Sequence, residues 1–92
     1  MDYSYPLEPD WTTEEIIDAV KFYEAVEKAY EKGISRGELM KAYRRFKEIE
    51  PSKAGEKRIF NEFEEASGYA AWPVIRRLKD SPDEEIIKGA GA

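Results

Sequence analysis

The chain has 92 residues, one domain's worth, with a net charge of −5 and neither cysteine nor histidine. Lacking both, it has no disulfide framework, thiolate nucleophile, Ser-His or Cys-His system, or zinc site of the usual kinds. Six Tyr, four Phe and two Trp supply bulk for a core that stays modest in so short a chain.

Met1 to Trp11 reads as an extended entry segment, because Pro6 and Pro9 oppose helix and bias the residues before them to extended backbone. Tyr3, Tyr5, Leu7 and Trp11 are too apolar for a free tail, and two readings stand: a strap over the core, or an exposed aromatic docking strip. The start has neither a basic cluster nor a long apolar run, so no signal peptide is expected, and no stretch reaches the length of a membrane span.

Thr12 to Gly33 reads as one long helix. Thr12 and Glu15 form a capping-box pair, and Glu14, Glu15 and Asp18 suit the positive end of the dipole. Ile16, Ala19, Val20, Tyr23, Val26 and Tyr30 recur at helical spacing as the inner face, and Gly33 ends the helix. Its length of roughly 30 Å is the width of a small domain. Phe22 and Ala29 widen the apolar arc, which either serves the chain's other helices or is left for a homodimer.

Ser35 to Ile49 is the second helix, with Ser35 and Glu38 repeating the capping box and Leu39, Ala42, Tyr43, Phe46 and Ile49 facing inward. The short link to the first helix predicts an antiparallel or crossed hairpin. Ser52 to Ser67 is the third, capped by Ser52, with Ile59, Phe60, Phe63 and Ala66 inside, although Gly55 weakens its first turn. Ala70 to Lys79 is the fourth, with Pro73 in its first turn and Ala71, Val74, Ile75 and Leu78 buried. Ser81-Pro82-Asp83-Glu84 signals a further start that leads into a short fifth helix at Glu85 to Lys88, and 89–92 reads as a frayed tail. The expected architecture is a single all-α domain over 1–92: a compact array of four main helices, with the short fifth and an extended N-terminal segment.

Tyr5-Pro6-Leu7, Asp10-Trp11-Thr12-Thr13-Glu14-Glu15-Ile16, Phe22-Tyr23 and Ala29-Tyr30-Glu31-Lys32-Gly33 resemble the opening of the small bacterial proteins of uncharacterised protein family 0223. The resemblance continues through Ala42-Tyr43-Arg44, Phe46-Lys47-Glu48-Ile49, Phe63-Glu64-Glu65 and Ser67-Gly68-Tyr69, covering nearly the whole chain. It implies a compact helical protein of the cytoplasm of low-GC Gram-positive bacteria, and it implies no activity and no catalytic residues.

The inventory for catalysis is thin. Of five serines, Ser35, Ser52 and Ser81 are explained as caps, Ser67 lies beside a helix stop, and none lies in a nucleophile elbow. Glu14-Glu15, Glu64-Glu65 and Glu84-Glu85 read as solvated faces or dipole complements. Glu62 and Glu65 would need acidic residues of another helix to hold a hard cation. There is no calcium loop or glycine-rich phosphate loop. The chain therefore reads as non-enzymatic, with no cofactor and no metal.

Charge is unevenly distributed. Residues 1–11 and 12–32 each carry −3, whereas 35–49 carry +3 and 70–80 carry +2. Lys41, Arg44 and Arg45 share an outer face of the second helix with Glu48, and Trp72, Arg76 and Lys79 share one on the fourth. These six residues are the candidate interaction surface, and a protein partner with acidic groups is the expected ligand, with Trp72 as anchor. The competing reading of Trp72 tucks it into the core beside Tyr69.

The runner-up is a weak nucleic-acid binder through Arg44, Arg45, Arg76 and Arg77. The stretch from Glu62 to Lys79 has the outline of a helix-turn-helix with Gly68 in the turn. Glu64 stands where a small packed residue is needed, Arg77 stands in the last core position, and the net charge is of the wrong sign for phosphate.

Overall fold

The computed structural model describes residues 4–80 and 85–89, and contains α1 (Thr13–Glu31), β1 (Ile34–Ser35), α2 (Arg36–Ile49), α3 (Lys53–Ser67), α4 (Ala71–Asp80) and β2 (Ile86–Ile87). The helix-start signal at 81–84 and the tail at 90–92 lie outside the described residues.

The α1 cap is a complete box: the Glu15 N–H donates to Thr12 Oγ1 (3.1 Å), and the Thr12 N–H donates to Glu15 Oε1 (2.8 Å). At the other end Gly33 takes a left-handed φ of 89°, and the N–H groups of Lys32 and Gly33 both donate to the Lys28 carbonyl. The buried face of α1 is Ala19, Phe22, Tyr23, Ala25, Val26 and Ala29, with Ile16, Val20 and Tyr30 only partly covered. The buried arc is thus rotated toward Phe22 and Ala29, because α1 is packed on two sides. Phe22 stacks with Phe46 of α2 (4.8 Å between ring centres) and Phe60 of α3 (5.6 Å), while Tyr23 stacks with Phe63 of α3 (5.0 Å). Each such pair contributes about 0.5–1.5 kcal/mol beyond the area it buries. Phe22 and Ala29 are fully covered by the chain itself.

Arg45 reaches Asp18 (2.8 Å) and Glu38 reaches Lys28 (3.3 Å), so the end of α2 meets the start of α1 and the pair is antiparallel. Ser35 caps α2 by accepting from the Glu38 N–H (3.2 Å). The Glu38 carboxylate goes to Lys28 rather than back to the cap.

Ser52 caps α3 through the Gly55 N–H (2.9 Å), and Gly68 closes it with φ 81°. The Glu50 side chain lies where a Cβ on residue 55 would stand, so the glycine that weakens the first turn also admits a close neighbour. Ile59, Phe60 and Phe63 are buried as expected, but Ala66 is exposed, since the end of α3 runs past the core. In α4 the expected stripe of Ala71, Val74, Ile75 and Leu78 is buried.

The expected short fifth helix is instead a strand. β2 pairs antiparallel with β1 in the register Ile34↔Ile87 and Ser35↔Ile86, and the Arg36 N–H donates to the Glu85 carbonyl (2.8 Å). Two β-branched residues with opposite exposure fit a strand: Ile87 is fully buried and Ile86 is 52% exposed. Gly89, expected to begin a frayed tail, is buried. Its N–H donates to the Ala29 carbonyl (2.9 Å), one of those the end of α1 leaves without a helical partner.

From Ser4 to Trp11 the entry segment is a strap, and Tyr3 lies outside the described residues. Tyr5 stacks with Tyr23 (5.3 Å), its hydroxyl donates to the Glu27 carboxylate (2.9 Å), and the Tyr23 hydroxyl donates to the Pro6 carbonyl (2.7 Å). Trp11 is buried, Glu8 pairs with Arg58, and Leu7 projects to solvent.

Candidate interaction surface

The antiparallel packing of α1 on α2 divides the six candidate residues. Arg45 lies at the α1–α2 seam, with Nε on Asp18 and Nη1 on Glu48 (3.2 Å), and these hydrogen bonds push its pKa further up. It fastens the two helices together. Lys41 and Arg44 are exposed and make no ion pair among the described residues, and the same holds for Arg76 of α4.

Trp72 is neither tucked beside Tyr69 nor free. Tyr69 stacks instead with Tyr30 (5.1 Å), and Trp72 meets the edge of Phe60 at 4.9 Å and 71° while leaving 37% of its surface exposed. At the other end of the same α4 face, the Lys79 ammonium lies 5.7 Å from the centre of the Tyr43 ring. The face Trp72–Arg76–Lys79 is therefore fixed to α3 at one end and to α2 at the other. Lys79 joins α2 at Tyr43, the residue before Arg44.

Beneath this face lies a group that sequence reading missed. Glu56 is 2% exposed; it accepts from the Tyr43 hydroxyl (3.0 Å) and pairs with Lys47 (3.4 Å). Burial first, then the Glu56 hydrogen bond and charge, push the Tyr43 hydroxyl up to about 12. The missed signal is spacing. Glu56 precedes Ile59 by three and Phe60 by four, which sets it on the inner stripe of α3, although a glutamate in a first turn also reads as a dipole complement.

Glu62, considered above for a cation, is paired with Arg58 (3.1 Å), and no group of three or more acidic side chains suited to a metal ion occurs among the described residues. Glu64 faces solvent and Leu78, not Arg77, enters the core, so α3 and α4 depart from the helix-turn-helix pattern at the two positions where the sequence does. Among the described residues no helix is long and apolar enough to cross a membrane.

The model of an uncharacterised protein family (UPF0223) matches residues 2–87. A UPF0223 protein of Lysinibacillus sphaericus is 59% identical over 88 residues, 96% of this chain and 93% of the relative. One of Bacillus mycoides is 54% identical over 88 residues, 96% of this chain and 99% of the relative. The UPF0223 protein YktA of Bacillus subtilis is 51% identical over 86 residues, 94% of this chain and 98% of the relative. None of these names carries an activity.

Proposed function

The chain belongs to the uncharacterised protein family UPF0223, whose relatives are bacterial and have no named catalytic activity, and from that premise we propose that it is a non-enzymatic protein–protein interaction module of the cytoplasm. The observation that carries this is the exposed ring of Trp72 on a face whose Arg76, with Arg44 beyond it on α2, has no internal ion pair among the described residues. Tryptophan and arginine dominate binding energies at protein interfaces, and an unpaired cation keeps its charge for a partner. The partner is a protein with an acidic docking surface. The lack of cysteine fits a reducing compartment. The lack of both cysteine and histidine leaves few groups poised for general acid–base or nucleophilic work at neutral pH.

The test is capture of tagged protein from native bacterial lysate, with and without nuclease, beside the double variant Arg44→Glu with Arg76→Glu. A protein retained through nuclease treatment, and lost in a double variant that melts like the wild type, supports the proposal. Retention that disappears with nuclease moves the assignment to nucleic acid. A double variant that keeps every partner removes this surface from the function.

A further inference from the structure

Between α1 and α2 runs a groove of about 540 Å³, mostly apolar in its accessible lining. Its floor is Ala25, Ile34 and Ala42. Small side chains on two antiparallel helices leave open the space that larger residues would fill. The two ion pairs that set the helix direction close the ends: Asp18 with Arg45, and Lys28 with Glu38. The span from Asp18 to Lys28 is about 15 Å at the helical rise, room for anchors one and two turns apart on a bound helix.

Lys21, Lys28, Lys41 and Arg45 stand against Asp18, Glu24 and Glu38 in the lining, which gives the lips a small positive excess. Asp18 and Glu38 are already neutralised by Arg45 and Lys28. Lys41 on the α2 lip has no ion pair among the described residues, and Lys21 on the α1 lip is only loosely held, 4.0 Å from Asp18. Glu24 is the one acidic lining residue without an ion pair among the described residues. Arg44 follows on the outer wall of α2, beside a second, shallower hollow that it shares with Lys41.

We propose that this groove is the docking site for an acidic amphipathic helix of a partner protein. Large aliphatic side chains of that helix lie over Ala25, Ile34 and Ala42, and its carboxylates face Lys41 and Arg44. The inference rests on the interaction-module reading above, takes the acidic partner from it, and adds to the Trp72–Arg76 face a second contact in the α1–α2 groove. Burial of aliphatic groups supplies the affinity, and the lip charges select acidic over basic helices.

The test titrates the isotope-labelled full chain with two synthetic helical peptides, one of leucine and glutamate in amphipathic order and its leucine–lysine counterpart, followed by amide chemical shifts. The acidic peptide shifts amides in 18–28 and 38–45 and binds at least about tenfold more tightly than the basic one. Ala42→Phe fills the groove and weakens acidic-peptide binding by about tenfold or more, and Lys41→Glu, at an exposed position, weakens it likewise. Equal binding of the two peptides, shifts confined to 72–79, no shifts at all, or full binding by both variants overturns the groove. If Lys41→Glu still captures the partner from lysate while the Arg44→Glu, Arg76→Glu variant does not, the groove falls and the broader proposal stands. If all variants capture it equally, both fall.

Discussion

The Tyr43 hydroxyl donates to the Glu56 carboxylate at 3.0 Å and so joins α2 to the first turn of α3 through a buried charge. Removing a carboxylate from water is costly unless its oxygens are satisfied. Here both are: Tyr43 holds one and Lys47 the other, and both partners come from α2. The contact also shapes the outer surface, because the Lys79 ammonium of α4 lies over the same Tyr43 ring.

Glu56→Ala leaves the Tyr43 hydroxyl without its acceptor and Lys47 without its counter-charge. The expected loss is about 1–3 kcal/mol, the usual range when one partner of a buried polar contact is removed. Glu56→Gln keeps an acceptor for Tyr43 and costs less. Urea denaturation of the three proteins measures this; equal stability of the Ala and Gln variants would show that the hydrogen bond contributes nothing.

The same tyrosine gives stability an alkaline limit. In the folded protein its pKa is about 12, above the ordinary 10.0, so between those values the native state holds a proton that the unfolded chain releases. A group raised in this way contributes fully below the unfolded value, and its contribution falls as pH rises toward the folded one. Tyr23, pushed up by its own burial, acts in the same direction. Denaturation midpoints measured stepwise from about pH 9 to 12 should fall more steeply for the wild type than for Tyr43→Phe. Parallel curves would mean that Tyr43 does not hold its proton in the fold.

Features set by neighbours in the chain were legible in the sequence, and features set by distant partners were not. Thr12 with Glu15, Ser52 and Gly68 ended their helices as their chemistry requires, because a cap is satisfied within four residues. The inner face of α1 was displaced toward Phe22 because its placement depends on which helices flank it. Ile86 and Ile87 formed a strand against a helical expectation because two residues carry no periodicity, and their partners lie more than fifty positions earlier. On the surface, the exposure of Lys41, Arg44 and Arg76 was legible from helical spacing. The diversion of Arg45 into a seam with Asp18 was not, since it depends on the antiparallel register of α1 and α2.

The return of the chain to α1 predicts opposite effects at two glycines. A Cβ on residue 89 would stand 2.2 Å from Cδ1 of Tyr30, and that ring is held by its hydroxyl on the Ala70 carbonyl (2.7 Å) and by its stack with Tyr69. Gly89→Ala is therefore expected to destabilise by about 1–3 kcal/mol, as overpacking does. Gly37, inside α2, meets nothing within 4 Å of the added carbon, so Gly37→Ala should gain up to about 0.5–1 kcal/mol of backbone entropy and helix propensity. Thermal melts that move the two variants in the same direction would contradict this account of the β1–β2 end.

Arg44 and Arg45 are adjacent in sequence but differ in partners, so the same substitution should separate stability from binding. Arg45 bonds Asp18 at 2.8 Å and Glu48 at 3.2 Å with its side chain about a third exposed, and solvent screening keeps the stability loss in Arg45→Ala small. It should also loosen one end of the α1–α2 groove and change amide shifts around Asp18. Arg44 has no ion pair among the described residues, so Arg44→Ala should leave the melting temperature unchanged while weakening capture of an acidic partner. Partner binding that falls with Arg45→Ala but not with Arg44→Ala would place the interface along the seam with α1 and remove Arg44 from it.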